Sequence, residues 1–421
     1  MKPNSGKDKV KIPFTPYQKF VIFILAITQF SVVLDFMIMS PMGDMLMKVL
    51  ALKPSQFGTA VSGYAFSAGI SGLLTAGFAD RFDRKKLLLF FYTGFIAGTF
   101  LCGFSTSYPM LLFARIVTGL FGGVIGSISL AIVADLFDLG HRGRVMGFVQ
   151  MGFGASQVLG IPIGLYLANH WGWRAPFLLV ACMGVLIAVL IISSLKPVTA
   201  HLFKKQENSP IRHLLNTFSK RNYRIGFLST SFLSLGGFMM MPFASAFAVN
   251  NVKVTQAQLP LLFMVSGCSS LIIMPLIGRL ADRIDKFKLY AIASGWLMLV
   301  VVFYTNLSAT PLWLVMIFNV MMMMGILSRM VPAGALTTAI PAMQDRGAFM
   351  SITSSLQQLA GGIAAASAGM IVKQKDKFSP LEHYNTVGYV MVGISLVSVL
   401  LLYRVSMIVK KKDQEKNALA S

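Results

Sequence analysis

The chain has 421 residues, of which 55% are hydrophobic and only 12% are charged, and its formal net charge is +22. So few charges cannot cover the surface of a water-soluble protein, which excludes the soluble globular class. A large positive charge could indicate nucleic-acid binding, but here the bases form short clusters between apolar runs, as in the inner loops of membrane proteins. The predicted partner is therefore a lipid bilayer and not nucleic acid.

Long apolar runs predict twelve helices that each cross a hydrocarbon layer about 30 Å thick. In the first half they lie near 17–47, 56–78, 86–105, 108–134, 145–168 and 174–195. In the second half they lie near 224–250, 257–280, 288–306, 310–340, 347–372 and 386–408. The longest polar stretch separates the halves. It predicts an N-terminal six-helix bundle over residues 1–196, a cytoplasmic linker over 197–223, and a C-terminal six-helix bundle over 224–421 with a short basic tail.

Lys and Arg are concentrated in alternate loops, namely those after spans two, four, six, eight and ten, and in both termini. The positive-inside rule places these loops in the cytoplasm, so both termini are predicted to be cytoplasmic. We see no cleaved presequence, because the first apolar run is too long for a signal-peptide core. The pattern is typical of a multi-pass protein of a bacterial inner membrane.

The two halves repeat a charged loop. The segment "GFADRFDRKK" begins at Gly77 and "GRLADRIDKF" begins at Gly278, so that Asp80 and Asp282 are 202 residues apart. A second pair of loops places Arg142 and Arg346 at the similar distance of 204 residues. Two matches at nearly one offset predict a duplicated six-helix unit in parallel orientation, with a substrate site between the halves near the bilayer midplane.

The loop after span two, Ala76 to Lys85, resembles the G-x-L-a-D-r-x-G-r-k signature of the major facilitator superfamily, and Gly278 to Lys286 is its second copy. The segment from Arg115 to Gly123 is similar to the R-x-x-q-G-x-g motif of span four in that family. Gly160, Pro162 and Gly164 resemble its antiporter motif, although Ile161 separates the first Gly from the Pro. The resemblance covers the chain and implies an all-α membrane fold, with twelve transmembrane helices in two six-helix bundles around a central cavity.

The repeated loops predict a conformational latch. A carboxylate at such a helix end can pair with arginines and helix N-termini of the neighbouring bundle, and these contacts break when one half rocks away. The predicted latch residues are Asp80, Arg81, Arg84, Asp282, Arg283, Arg142 and Arg346. The alternative is a simple cluster of bases that only sets the topology. Asp83 and Asp285 depart from the family signature, which has glycine there.

Asp35 lies deep inside the first span, where a carboxylate is costly and is a functional hypothesis by default. It is the predicted site of the coupling proton. Arg115 in span four belongs to a motif that the family resemblance associates with proton coupling, and it could tune Asp35 or order a polar network. The alternative is that the two residues form a permanent structural pair.

Span five and several polar or soft side chains are candidates for the cavity. Gly160, Pro162 and Gly164 predict a bend that seals one end of the cavity, with plain helix packing as the alternative. Arg329 has no counterpart at the repeat offset and is a candidate partner for an anionic substrate group. The remaining candidates for the cavity lining are Gln29, Phe36, Gln157, Phe238, Met239, Gln357 and Gln358.

These features predict a secondary active transporter that exchanges protons for small amphipathic or drug-like molecules by alternating access. A facilitative or proton-linked carrier of sugars or other metabolites is the alternative, and a non-transporting receptor or scaffold is a remote one. The chain has no P-loop motif and no arrangement typical of catalysis, so an enzyme, a cofactor and a metal are not predicted. The expected partners are the bilayer, protons and a small-molecule substrate, and the expected functional unit is a monomer.

Overall fold

The computed structural model describes residues 14–75, 78–199, 202 and 210–418. All twelve predicted spans are helical. The helices of the first half are α1 (Pro16–Ile38), α2 (Gly43–Val49), α3 (Pro54–Thr75), α4 (Arg84–Phe104), α5 (Tyr108–Leu136), α6 (Leu139–Ala155), α7 (Ile161–Trp171) and α8 (Arg174–Ser194).

A short helix, α9 (Pro210–Ser219), lies in the predicted linker. The helices of the second half are α10 (Arg221–Met239), α11 (Ala244–Asn250), α12 (Leu259–Arg283), α13 (Lys286–Thr305), α14 (Leu312–Thr338), α15 (Arg346–Ile371) and α16 (Tyr384–Ala418). The loops that join α3 to α4, α5 to α6, α12 to α13 and α14 to α15 lie on one face, which we call the basic face. The other face is called the opposite face.

Spans one and seven, predicted as single helices, are each broken near the opposite face. α1 ends at Ile38 and α2 begins at Gly43, with Pro41 in the turn between them. α10 ends at Met239 and α11 begins at Ala244, with Pro242 in the turn. A proline has no backbone N–H and disfavours helical geometry in the residue before it, so each helix stops there. The two prolines are 201 residues apart, which makes the break part of the repeat.

Ten helices of the described chain are long and apolar enough to cross a membrane by length and composition. α3 and α15 are also long enough, with 22 and 26 residues, but they are richer in Gly, Ala and Ser. These two helices pack against each other across the two halves. A Cβ on Gly58 would lie 2.7 Å from the carbonyl oxygen of Ala365, and one on Gly72 would lie 2.8 Å from Oγ of Ser355. Small residues therefore allow close contact along much of both helices.

Span five contains a single π-helical turn, Ser156–Gly160, between α6 and α7. This turn packs against α12 of the other half, where a Cβ on Gly267 would lie 2.8 Å from the carbonyl oxygen of Gln157. Such turns often mark functional positions, because they change the helix register by a fraction of a turn. The two halves thus meet along two helix pairs, α3 with α15 and span five with α12.

The two faces differ in the bonds that join the halves. Within the described ranges, every side-chain hydrogen bond between the halves lies on the opposite face, where Asp44, Ser40 and Asn169 of the first half meet α11 and the start of α12. The basic face has bonds within each half instead. One of these is made by the tail, where Nζ of Lys412 donates to the carbonyls of Ala339, Ile340 and Pro341 at 3.1, 3.1 and 3.2 Å.

Close contact between α3 and α5 predicts the effect of a single methyl group. In Gly119→Ala, the new Cβ would collide with the backbone carbonyl of Tyr64 and with Oγ of Ser67. We expect the change to destabilise the protein by about 1–3 kcal/mol, because the backbone cannot move out of the way. Thermal unfolding in detergent measures this. Gly154→Ala in α6 is the matched control, since nothing lies within 4 Å of its Cβ position, and an equal loss in that variant would contradict the prediction.

Candidate functional site

Asp35 of α1 and Arg115 of α5 form an ion pair in the interior of the first half. Nη1 of Arg115 donates to Oδ2 of Asp35 at 2.8 Å, and both side chains are 0% exposed. The same nitrogen lies 3.4 Å from the backbone carbonyl of Asp35. The sequence singles out both residues because each is a charge within an apolar run, and the structure brings them into direct contact.

Two further helices complete the surroundings of the ion pair. Oγ1 of Thr99 in α4 donates to Oδ1 of Asp35 at 3.2 Å. The guanidinium carbon of Arg115 lies 4.5 Å from the ring centre of Tyr64 in α3, a cation–π distance. Four helices therefore supply the groups that hold one carboxylate and one cation in a dry site.

Among the described residues, the guanidinium group of Arg115 forms hydrogen bonds through only one of its three nitrogens. Nε and Nη2 of Arg115 are buried and have no hydrogen-bond partner among the described residues. Arg remains protonated under all ordinary conditions, so Asp35 is the member of the pair that can change charge. A proton on Asp35 would leave a buried cation without its anion, which costs several kcal/mol unless the surroundings rearrange. A change in the charge of Asp35 would therefore act directly on the contacts among the four helices around it.

Phe36, the residue after Asp35, extends towards the second half. Its ring centre lies 5.1 Å from that of Tyr64 and 5.9 Å from that of Phe238 in α10. Phe36 and Phe238 are both half-buried, as expected for side chains at the boundary between the bundles. The ion pair therefore stands directly beside, in the sequence, the aromatic contact that joins the two halves.

The glycines of span five pack against the helix that carries Asp35. A Cβ on Gly160 would lie 2.8 Å from Cδ1 of Leu34, and one on Gly164 would lie 2.6 Å from Cδ1 of Ile38. Pro162 stands in the first turn of α7, directly after the π turn. The motif therefore fixes the packing of span five on both sides of Asp35. Its role as a seal remains a prediction.

The polar cavity candidates fall into two groups. Gln29, Gln157, Gln357 and Gln358 are half-buried, and their amides form no hydrogen bond with another described residue. Their role in binding a ligand remains a prediction. Arg329 and Met239 differ from the expectation, because both are only 2% exposed.

Arg329 is directed into the second bundle and not into a space between the bundles. Nη1 donates to Oγ of Ser395 in α16 and Nη2 to the hydroxyl of Tyr290 in α13, both at 3.2 Å. Met239 packs in the hydrophobic core. Sequence alone cannot tell which face of a helix is turned towards the cavity, and this explains both differences.

Among the latch side chains that the structure describes, no hydrogen bond or ion pair between the halves is seen. The side chain of Asp80 lies outside the described residues, and Asp282 is exposed with no partner among those described. Arg84 donates through Nε to Oδ2 of Asp135 at 3.1 Å, and Arg142 donates to the carbonyl of Phe137 at 2.9 Å. Three further latch arginines are exposed and have no side-chain hydrogen bond within the described ranges: Arg81, Arg283 and Arg346.

The aspartates that depart from the family signature have a clear structural role. Asp83 caps α4 by accepting from the backbone N–H of Lys85 at 2.9 Å. Asp285 caps α13 by accepting from the N–H groups of Phe287 and Lys288, both at 3.0 Å. An aspartate just before a helix is a recognisable N-cap signal, and it accounts for these residues without a transport role.

A second carboxylate on the basic face, Asp345, has no place in the sequence-based site. It is 3% exposed and accepts from Nζ of Lys220 at 2.6 Å and from the hydroxyl of Tyr223 at 2.7 Å. Burial raises the pKa of Asp345, but the hydrogen bonds from Lys220 and Tyr223 and the charge of Lys220 lower it by more, so the pKa lies below its ordinary value. The contact ties the end of the linker and α10 to the start of α15.

Comparison with known proteins assigns the chain to a family. The family model described as the Major Facilitator Superfamily matches residues 25–365 and 226–420. The uncharacterized MFS-type transporter YbcL of Bacillus subtilis (strain 168) is 25% identical over 384 residues, which cover 91% of this chain and 95% of that protein. Multidrug resistance protein 2 of the same organism is 23% identical over 286 residues, covering 65% of this chain and 69% of that protein.

Among solved structures, a crystal structure of a D-xylose-proton symporter superposes with a TM-score of 0.75 at 18% identity. The superposition covers 92% of this chain and 97% of that chain. At this identity the likeness concerns the fold alone. It confirms the predicted all-α membrane fold with two six-helix bundles, and the family resemblance inferred from the loop motifs is also confirmed.

The buried ion pair predicts a non-additive effect on stability. Asp35→Leu and Arg115→Met each leave one charge buried without its partner, and each should cost about 3–5 kcal/mol. The double variant buries no charge, so its loss should be clearly smaller than the sum of the two. Thermal unfolding in detergent measures all three variants. Strictly additive losses would show that the two side chains do not depend on each other.

The lowered pKa of Asp345 predicts a pH-dependent contribution to stability. A carboxyl with a lower pKa in the folded state stabilises the fold above its unfolded pKa of about 4, and this contribution is lost as the pH falls through the folded value. The difference in unfolding temperature between the wild type and Asp345→Asn should therefore be constant near neutral pH and shrink under acid conditions. Lys220→Met is the companion variant. A difference that grew on acidification would contradict the assignment.

Proposed function

As a member of the Major Facilitator Superfamily, this chain is a multi-pass membrane transporter, and we propose that it exports small amphipathic molecules in exchange for protons. The observation that carries the proposal is the Asp35–Arg115 pair, a titratable carboxyl group in the dry interior of a transporter. Such a group is expensive to keep in a membrane and is best explained by use in the transport cycle. It would act as the site of the coupling proton.

The structural asymmetry between the faces supports an alternating-access cycle. In the described part of the chain, the side-chain hydrogen bonds that join the halves lie on the opposite face, and Arg142 on the basic face bonds within its own half. In the proposed cycle, residues 1–196 and 224–421 rock about the cavity, with residues 197–223 as the cytoplasmic linker. The Asp80 and Asp282 loops would pair across the halves when the basic face closes.

Proton binding would be linked to this rocking motion through the helices around Asp35. When the outer side is open, a proton from the external solution reaches Asp35. Neutralisation weakens its bond to Arg115, and the neighbouring contacts of Phe36 and Gly160 transmit the change to the second half and to span five. Release to the cytoplasm restores the pair. Proton and substrate compete through the charge of this site, so that each weakens binding of the other.

The walls of the proposed cavity favour an amphipathic substrate. Phe36 and Phe238 provide aromatic surface at the boundary of the bundles. A few amides without a partner among the described residues, such as those of Gln29 and Gln357, would provide hydrogen bonds without a fixed charge. Apolar walls with a small number of polar groups suit drug-like molecules. The relative named multidrug resistance protein 2 points in the same direction.

A carrier of sugars or related metabolites is the second candidate. Unpaired glutamine amides are suitable partners for hydroxyl groups, and four such amides, Gln29, Gln157, Gln357 and Gln358, are half-buried. In either case we propose that the protein acts as a monomer in a bacterial inner membrane, with both termini in the cytoplasm and protons as the coupling ion.

The decisive experiment measures substrate uptake into inverted vesicles that carry an imposed pH gradient. Asp35→Asn mimics the protonated carboxyl and cannot release a proton. It should lose gradient-driven uptake and the pH dependence of substrate binding, while exchange of substrate without a gradient continues. Asp376→Asn is the matched control, because this carboxylate is exposed and accepts only from its own turn.

Two results would oppose the proposal. Concentrative uptake by Asp35→Asn from a pH gradient would place proton coupling elsewhere and leave Asp35 as a structural residue. Uptake of sugars in preference to amphipathic cations or dyes by the wild type would favour the second candidate.

A further inference from the structure

The opposite face carries a buried carboxylate that belongs to neither the proton site nor the loop latch. Asp44 lies in α2, the short helix after the break in span one, and is 1% exposed. It accepts a hydrogen bond from Nζ of Lys48 at 2.7 Å within the same helix. It also accepts from two amides of the second half, Nδ2 of Asn250 at 2.5 Å and Nε2 of Gln256.

The position equivalent to Asp44 in the second half also bonds across the boundary between the halves, although through a different group. α2 and α11 follow equivalent prolines, and Ser245 of α11 stands 201 residues after Asp44. Oγ of Ser245 donates to the backbone carbonyl of Ser40 in the first half at 2.8 Å. Equivalent positions of the two short helices thus each bond to the other half. The two broken spans form one contact, and Asp44 provides its only charged acceptor in the described part of the chain.

The bonds of Asp44 differ in what happens to them when the halves separate. Lys48 is on the same helix, so this ion pair moves with the first half. The bonds from Asn250 and Gln256 cross the boundary and must break. A hydrogen bond to a charged group contributes about 1.5–3 kcal/mol, more than a neutral one. Water can hydrogen-bond to the separated amides and carboxylate only after the face has opened.

Two neighbouring contacts also join the halves near Asp44 without involving its carboxylate. Nδ2 of Asn169 donates to the backbone carbonyl of Gln256 at 3.0 Å and fixes the segment that holds this glutamine. Nζ of Lys48 lies 5.3 Å from the ring centre of Phe378 in the second half. Asp44 is therefore the acceptor at the centre of a polar cluster that spans both halves.

We propose that Asp44 is the gating carboxylate of the opposite face, which holds this face closed by accepting the amides of Asn250 and Gln256. The inference rests on the proposed alternating-access cycle. It assigns to Asp44 the balance between the two open states, and it assigns no part of proton coupling to it. Loss of the amide bonds shifts the protein towards the state that is open on the opposite face.

The experiment measures the distance between spin labels on the opposite face without substrate and without a gradient. Labels are placed on Val49→Cys of α2 and Ala309→Cys of the loop before α14, in a background without the native cysteines; both positions are exposed. Gln256→Ala removes one crossing bond and keeps the Asp44–Lys48 ion pair. It should raise the ratio of long to short distances by about tenfold, and Asp44→Ala should raise it further.

Controls separate gating from a general loss of structure. Glu382→Gln changes a carboxylate that pairs with Lys375 inside the second half at 3.1 Å, so it should leave the distances unchanged. In the combination of Asp44→Ala with Gln256→Ala, the shift should be smaller than the product of the single effects, because both variants remove the same bond.

Unchanged distances in Gln256→Ala and Asp44→Ala would overturn the proposal, and so would an equal shift in Glu382→Gln. The outcome is independent of the proton site. If Asp35→Asn retained proton-driven transport while the distances shifted as expected, the coupling assignment would fail and the gate would stand. The reverse result would remove the gate and keep the coupling site.

Discussion

The hydrocarbon interior of a membrane offers no water to a polar group, and most features of this protein follow from that constraint. Backbone groups must bond within each span, which makes every span a helix. A charge must find a partner inside the protein, and Asp35 and Arg115 find each other across α1 and α5. The carboxyl is the member of the pair that can take up a proton, since the guanidinium retains its own, and this is the chemical basis for proposing the pair as the coupling site.

The constraint also explains the difference between helices that face lipid and those that face protein. α3 and α15 are less apolar than the ten helices that meet the criterion for a span by composition, because their small residues are used for contact with each other. The hydrophobic effect does not drive helices together in lipid, so close packing has to do so. A contact made of glycine, alanine and serine between smooth helix surfaces suits two halves that slide or rock.

The sequence predicts the fold well because spans, loops and repeats leave signals that do not depend on which side of a helix faces inward. It predicts Asp35 and Arg115 for the same reason, since a charge in an apolar run is conspicuous. It does not indicate the orientation of Arg329 and Met239 within their helices, and that orientation decides their burial. Asp44 and Asp345 escape notice because carboxylates near helix ends look like ordinary surface residues. The breaks in spans one and seven are indicated in the sequence by Pro41 and Pro242. These prolines are 201 residues apart, close to the separation of the repeated loops.

The bonds of Lys412 bear on where a purification tag can be attached to the end of the chain. α16 runs on to Ala418, and the ammonium group of Lys412 donates to three successive carbonyls in the turn directly after α14. Carbonyls in a turn lie outside the helical hydrogen-bond pattern and need partners from elsewhere in the protein. A purification tag that replaced the chain from this lysine onward would remove the donor to a turn 71 to 73 residues earlier. A tag fused after residue 418 keeps the three bonds of Lys412 and leaves the described C-terminal helix whole.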